Sequence, residues 1–368
     1  MKENLKAQPI RAFAEKDIPQ VADMFQRLLL TEGSSRRNLP VSALPDYFEQ
    51  IFFHNPWRDD ELPSLVYEDR SGRIIGFLGV MPRPMLLWSQ PIRVAISFHF
   101  MVEPESRSSL AGVQLLRAFF SGPQDLSLTD GAGPVGRKVW EGMGGTTAFL
   151  YSQCWTRILR PSRFALDEIG KRLPFPQIAR AFSPLCRISD AAVARMLPRF
   201  FQKLSSKCSE EELNAESLLN YLPQFSKIRA LQPVYDGHSV QWLLKHAEGM
   251  DCFGSLKKVL VRDKHEVVGW YLYYLKPGEV GTVLQIAATK NHFSEILDHL
   301  FDHARRHDVV ALDGRMEPQY IQELADRYCY FRLGSWTLIH SHNSELLNVI
   351  QRGDVFLTRL EGEWSLLF

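Results

Sequence analysis

The sequence has 368 residues, enough for two domains and a remainder at roughly 150 residues per domain, and its 45% apolar and 23% charged content excludes a disordered or fibrous chain. Lys and Arg number 43 against 42 Asp and Glu, a formal charge of +1, which leaves no electrostatic case for nucleic acid or an anionic membrane as partner. Five widely spaced cysteines without a CxxC pair (Cys154, Cys186, Cys208, Cys252, Cys329) exclude a disulfide framework and a Cys-based zinc site; no apolar run approaches 18 residues and the opening MKENLKAQPI has no apolar core, so a reduced, cytoplasmic chain is expected.

In chain order, Ile10–Phe13 reads as a strand. Ile18, Val21, Ala22, Phe25, Leu28 and Leu29 then share one face at a 3.6-residue period, and Leu44, Tyr47, Phe48 and Ile51 mark a second helix ended by the His-Asn-Pro of 54 to 56. Residues 64–69 and 73–81 predict a hairpin around Arg70-Ser71-Gly72, which Pro82 and Pro84 are expected to interrupt. Residues 85–88, 92–95 and 97–102 continue as strands, with Ser89-Gln90-Pro91 as a turn, and stop at Glu103-Pro104. A helix with Leu115, Leu116, Phe119 and Phe120 inward follows, then a strand over 125–130. Gly131-Ala132-Gly133-Pro134-Val135-Gly136 has dinucleotide-loop spacing, but no acidic residue stands about 20 positions on, so it reads as a tight loop before a brief helix. Residues 149–159 read as another strand.

From 160 to 229 prolines punctuate short helical runs (191–203, 211–221), the pattern of a helical connector. Strands return at 257–262, 267–275 and 280–287, followed by a long helix at 293–307, a strand at 309–312, a helix at 317–328, a strand at 336–340, a helix at 344–351 and a strand at 355–360. This order repeats that of the first half. His299, His303 and His307 recur every four residues on the long helix, but flank its apolar face and predict a solvated edge. Asp313, Glu361 and Glu363 read as surface carboxylates.

A helix N-terminus exposes up to four unpaired N–H groups and a partial positive charge, so a strand that ends in a helix through small residues makes an anion site. Ser108, Ser109, Ala111 and Gly112 provide that close approach, and Arg107 adds a charge. The run Val102-Glu103-Pro104-Glu105-Ser106-Arg107-Ser108-Ser109-Leu110-Ala111-Gly112 resembles the acyl-CoA pyrophosphate loop of the GNAT superfamily of N-acyltransferases, where a strand ending in Val-x-Pro leads to Arg-x-x-Gly-x-Gly/Ala and a helix. The resemblance covers residues 8–158 well and 255–368 only as element order.

The resemblance implies an α/β fold of two acyl-CoA N-acyltransferase-like (GNAT) domains with mixed central sheets, joined by a helical connector. Residues 1–160 would form the acyl-CoA-binding domain, 161–230 the connector and 231–368 a second, degenerate GNAT-like domain. It implies acetyl-CoA or another acyl-CoA as donor, no metal, and a small-molecule or peptide amine as acceptor, with neither nucleic acid nor membrane as partner. Phe100, Met101, Val102, Arg107, Ser108, Ser109, Leu110, Ala111, Gly112 and Val113 would hold the donor. His99 and Glu103, on the strand before the loop, are the titratable candidates for proton removal, and Tyr151 is a candidate acid. Two departures stand out: Leu110 replaces the family's first loop glycine, and Trp140 stands where the family carries a late-helix tyrosine, which Trp cannot replace as an acid. They leave a second reading, a catalytically inactive GNAT-fold protein that binds a ligand or partner.

Overall fold

A computed structural model describes residues 9–30, 41–170, 208–226, 229–289 and 291–366; the helical run expected over 191–203 and Cys186 lie outside these, as do the side chains of Arg107, Ser108 and Ser109. Two mixed sheets carry the fold. The first has the order β1 (Ile10–Ala12), β2 (Leu65–Glu68), β3 (Ile74–Leu87), β4 (Gln90–Val102), β5 (Leu126–Ala132), β15 (Trp336–His340) and β6 (Thr146–Thr147), with β9 (Leu231–Pro233) paired to the end of β3. The second has the order β14 (Tyr330–Leu333), β7 (Gln153–Ile158), β13 (Ala311–Arg315), β12 (Val280–Ala288), β11 (Glu266–Leu275), β10 (Ser255–Asp263) and β8 (Ser209–Glu212). The halves exchange strands: β7 runs between β13 and β14 of the second sheet, and β15 runs between β5 and β6 of the first.

Helices α1 (Ile18–Leu29) and α2 (Leu44–Phe52) cover one face of the first sheet. From α1, Ile18, Val21, Ala22, Met24 and Phe25 are buried, and each large apolar side chain contributes about 1.5–3 kcal/mol. Helices α3 (Ala111–Phe120) and α4 (Pro134–Gly142) cover the other face through Leu115, Leu116, Phe119 and Trp140. In the second sheet β11 is buried on both faces: Tyr271 and Tyr273 meet α8 (Phe293–Arg306), while Trp270, Leu272 and Tyr274 meet α6 (Ala215–Ser226) and α7 (Gly237–Glu248). Among the described residues no helix is long and apolar enough to cross a membrane.

Several expectations change. Pro82 and Pro84 do not interrupt β3, because between the pairing with β2, which ends at Leu78, and that with β9, which begins at Met85, β3 is laddered on one side only, where a proline costs no bond. The turn expected at 89–91 lies at Trp88-Ser89, both with positive φ, a two-residue hairpin without glycine or asparagine to announce it. Strand β8 falls inside the expected helical connector, and β9, just past its end, joins the first sheet rather than the second. Residues 355–360 form no strand beyond an isolated bridge from Val355 to Leu231; they begin a strap that runs between the sheets. His299 and His303 are buried, each within 2.9 Å of a β11 tyrosine hydroxyl (Tyr271 and Tyr273), and of the three histidines expected on a solvated edge only His307 is exposed.

Candidate functional site

Strands β4 and β5 run parallel and pair only from Val94, Ala95 and Ile96 to Leu126, Ser127 and Leu128. Beyond these the two strands part. On its other edge β4 loses register against β3: Met101 lies opposite Phe77 and Phe98 opposite Gly79, so His99 and Phe100 together face Leu78. That one-residue excess is a β-bulge, and His99 holds φ +51° in it. A bulge beside a parting leaves backbone groups of β4 outside any ladder, where an added extended group can take them.

At the top of the parting, Pro104–Ser109 form a 3-10 turn and Leu110 adopts φ 60°, ψ 13° before α3 begins. The left-handed conformation explains a glycine at this position in the motif: it costs an L-residue about 1–2 kcal/mol. Leu110 tolerates it with its side chain 60% exposed. The first N–H of α3 to bond backward is that of Gln114, to Leu110 O, so the amides of Ala111, Gly112 and Val113 are the helix N-terminal donors. Gly112 brings them down on β4, since a Cβ there would stand 3.2 Å from both Phe100 Cζ and Val102 Cγ2.

His99 is buried among the rings of Phe25, Phe48 and Phe98. Its Nε2 lies 2.6 Å from Tyr47 Oη, whose single proton is donated to Leu366 O at 2.7 Å. With that proton on Leu366 O, the histidine donates from Nε2. Glu103 is buried in a bidentate pair with Arg27 (2.7 and 3.1 Å) and a 3.3 Å contact with Arg73. These guanidinium groups, Arg27 foremost, hold its carboxyl below the ordinary range. Tyr151 is buried in the core, its hydroxyl bonding the carbonyl and N–H of Val355 at 3.0 Å; burial pushes its ionisation up. Trp140 packs its ring on Phe119 and Phe120.

Side chains that the sequence does not single out complete this face. Arg83 is the one charge in the 14-residue run of β3, and that isolation is the signal that marks it. It lies buried with its guanidinium 3.8 Å over the Trp57 ring. Glu361, Glu363 and Asp313, expected on the surface, are held by the strap or by contacts to it. Glu363 accepts from Thr129 Oγ1 at 2.9 Å and lies over Gly131, the first glycine of the 131–136 loop. Glu361 accepts from Tyr235 Oη and Gln285 Nε2, both at 2.7 Å, and from the N–H and hydroxyl of Thr358. Asp313 pairs with Arg359 and Arg332. Among the described residues no three His, Cys, Asp or Glu side chains gather as a metal site.

No family profile and no characterised protein match the sequence. In structure the chain is similar to a GCN5-related N-acetyltransferase from Anabaena variabilis (TM-score 0.57, 11% identity, 91% of this chain and 72% of the other). It is equally similar to a probable N-acyltransferase from Enterococcus faecalis (TM-score 0.57, 10% identity, 90% and 72%). Saccharomyces cerevisiae N-myristoyltransferase with bound myristoyl-CoA is also similar (TM-score 0.53, 10% identity, 93% and 86%). With its two mixed sheets, the chain has the fold of the GNAT superfamily of N-acyltransferases.

Proposed function

We propose that the chain is an acyl-CoA-dependent N-acyltransferase, with acetyl-CoA or another acyl-CoA as donor and a small-molecule or peptide amine as acceptor. The observation that carries this reading is the parting of β4 from β5 beyond Ile96 and Leu128, directly below the N-terminus of α3. The pantetheine arm would add along Ser97–Val102 as a short strand, and the pyrophosphate would take the amides from Ser108 to Val113 with Arg107 beside it. The acceptor amine attacks the thioester carbon, the C–N bond forms as the C–S bond breaks, and CoA leaves as the thiolate. Backbone N–H groups near Met101 and Val102 would meet the developing oxyanion.

His99 sits at the bulge beside Tyr47 and is the group assigned to take the amine proton. Glu103, committed to Arg27 and Arg73, would brace the loop instead. Tyr151 is tied to Val355 and contributes packing. In this reading residues 1–160 carry the donor and residues 231–368 close over the acceptor. No disulfide joins Cys154, Cys208, Cys252 or Cys329, which fits a reducing, cytoplasmic compartment.

Titration calorimetry with acetyl-CoA and longer acyl-CoAs tests the reading. Binding to at least one of them is expected, weakened at least tenfold by Arg107→Ala. Absence of binding throughout the series, or binding unchanged by that substitution, overturns it.

A further inference from the structure

On the α1 and α2 face of the first sheet, below the point where β4 and β5 part, lies a small cavity in which about 20 Å³ is open to the centres of water-sized groups. Ile96 and Leu128, the last paired residues of the two strands, line it together with Met85, Arg83, Tyr235 and Glu361. Arg83 is its cation. Its Nε and Nη1 carry three of the five guanidinium N–H donors, and none has an acceptor among the described residues; its one bond is from Nη2 to Ser365 Oγ at 3.3 Å.

A buried guanidinium ordinarily faces a carboxylate, because the desolvation cost of an unpaired charge is several kcal/mol. Glu361 does not play that part: it makes no ion pair with Arg83, and both its oxygens are taken by Tyr235, Gln285 and Thr358. A second buried polar atom without a partner stands on the same face, Nε2 of His246, on the helix α7 that packs against it. The two are joined by a row of rings. Arg83 lies over Trp57, Trp57 meets Trp242 edge-on at 5.8 Å, Trp242 stacks on His246 at 5.4 Å, and His246 faces Tyr47, the partner of His99. The row connects the cavity to the bulge of β4.

We propose that this cavity binds a carboxylate group of a ligand, with Arg83 as its cationic donor, and that amine acceptors of this protein carry a carboxylate. The second half rests on the acyltransferase reading; the first does not. Apolar walls of Met85, Ile96 and Leu128 around one cation select a small planar anion at the end of a molecule over a hydrated or multiply charged one.

Thermal unfolding of the full chain in rising sodium formate, without acyl-CoA, tests the proposal. Formate is expected to raise the midpoint saturably, by about 1–3 °C, while formamide, its neutral isostere, does not. In Arg83→Met the saturable rise is lost and only the general salt response remains. If that variant does not fold, the formate–formamide difference in the unmodified chain decides alone. Equal responses to formate and formamide, a saturable rise retained in Arg83→Met, or an equal saturable rise with sodium chloride, which would assign a halide site, each overturn the carboxylate assignment. Because acyl-CoA is absent, a failure here leaves the donor site standing, and a failure of acyl-CoA binding leaves this test intact.

Discussion

Arg359 and Glu363, four residues apart on the C-terminal strap, bond to strands of different sheets. Arg359 donates from Nη1 to Val283 O on β12 at 3.1 Å and to Asp313 O on β13 at 2.9 Å, where those strands separate after pairing only from Val280 to Thr282. Glu363 accepts from Thr129 on β5, where the first sheet separates. One short segment therefore fastens both sheets, and the buried pair of Arg315 on β13 with Asp130 on β5 joins them nearby. The second parting is closed by a side chain of the protein itself, which fits the absence from that half of any loop like 102–112.

Arg359→Met should be strongly destabilising. It removes the partner of the half-sheltered Asp313 and two donors to strand carbonyls, a loss of about 3 kcal/mol, tempered by Arg332, which still pairs with Asp313. Urea unfolding measures it; a change within 0.5 kcal/mol, the range of ordinary surface substitutions, would remove the strap as a fastening.

Gly131→Ala should be costly for a different reason. A Cβ there would stand 1.5 Å from Glu363 Oε1, so Glu363 must leave its place over β5. The expected loss is about 1–3 kcal/mol, the cost of overpacking, and the double variant with Glu363→Ala should recover part of it, as a double-mutant cycle shows.

Leu110→Gly should stabilise the chain. The residue holds a left-handed backbone with most of its side chain in solvent, so the glycine removes strain and forfeits little burial, a net gain of up to about 1 kcal/mol against the flexibility glycine adds to the unfolded chain. A fall in the unfolding midpoint would show that the Leu110 side chain contributes packing despite its exposure.

Acid sensitivity should trace in part to His246. Burial foremost, and then Arg83, lower its pKa from 6.5 to about 4, so the folded state binds fewer protons than the unfolded one in that window. Its stabilising contribution is complete above pH 6.5 and is lost as the pH falls towards 4, to the extent of about 3 kcal/mol. His246→Phe, which keeps the stack on Trp242, should flatten that slope by close to one proton in urea titrations across pH 4 to 7. Glu317 has the opposite sign: burial raises its carboxyl to about 8, so its contribution declines as the pH rises from 4.5 towards 8.

The order of strands and helices was legible wherever one face of an element is apolar, as in α1, α2, α3 and α8, and the loop at 104–112 was legible through its spacing. What stayed hidden depends on distant partners. Nothing in Gln153–Ile158 or Trp336–His340 says which sheet each joins, because pairing registers β7 against Ala311–Arg315 and β15 against Ser127–Ala132, both far away in sequence. His299 and His303 flank an apolar stripe and read as solvated until β11 brings Tyr271 and Tyr273 over them. Arg83 lies between the two prolines expected to interrupt a strand, and only the fold reveals its burial over Trp57.

Hydrogen exchange of the chain with and without a bound acyl-CoA tests the central claim most directly. The account predicts that the donor slows exchange at the amides of Ser97–Val102 and of Leu110–Val113, with little change in Val280–Ala288 of the second sheet. Binding that leaves both segments of the first sheet unprotected, or that protects the second sheet in their place, contradicts it.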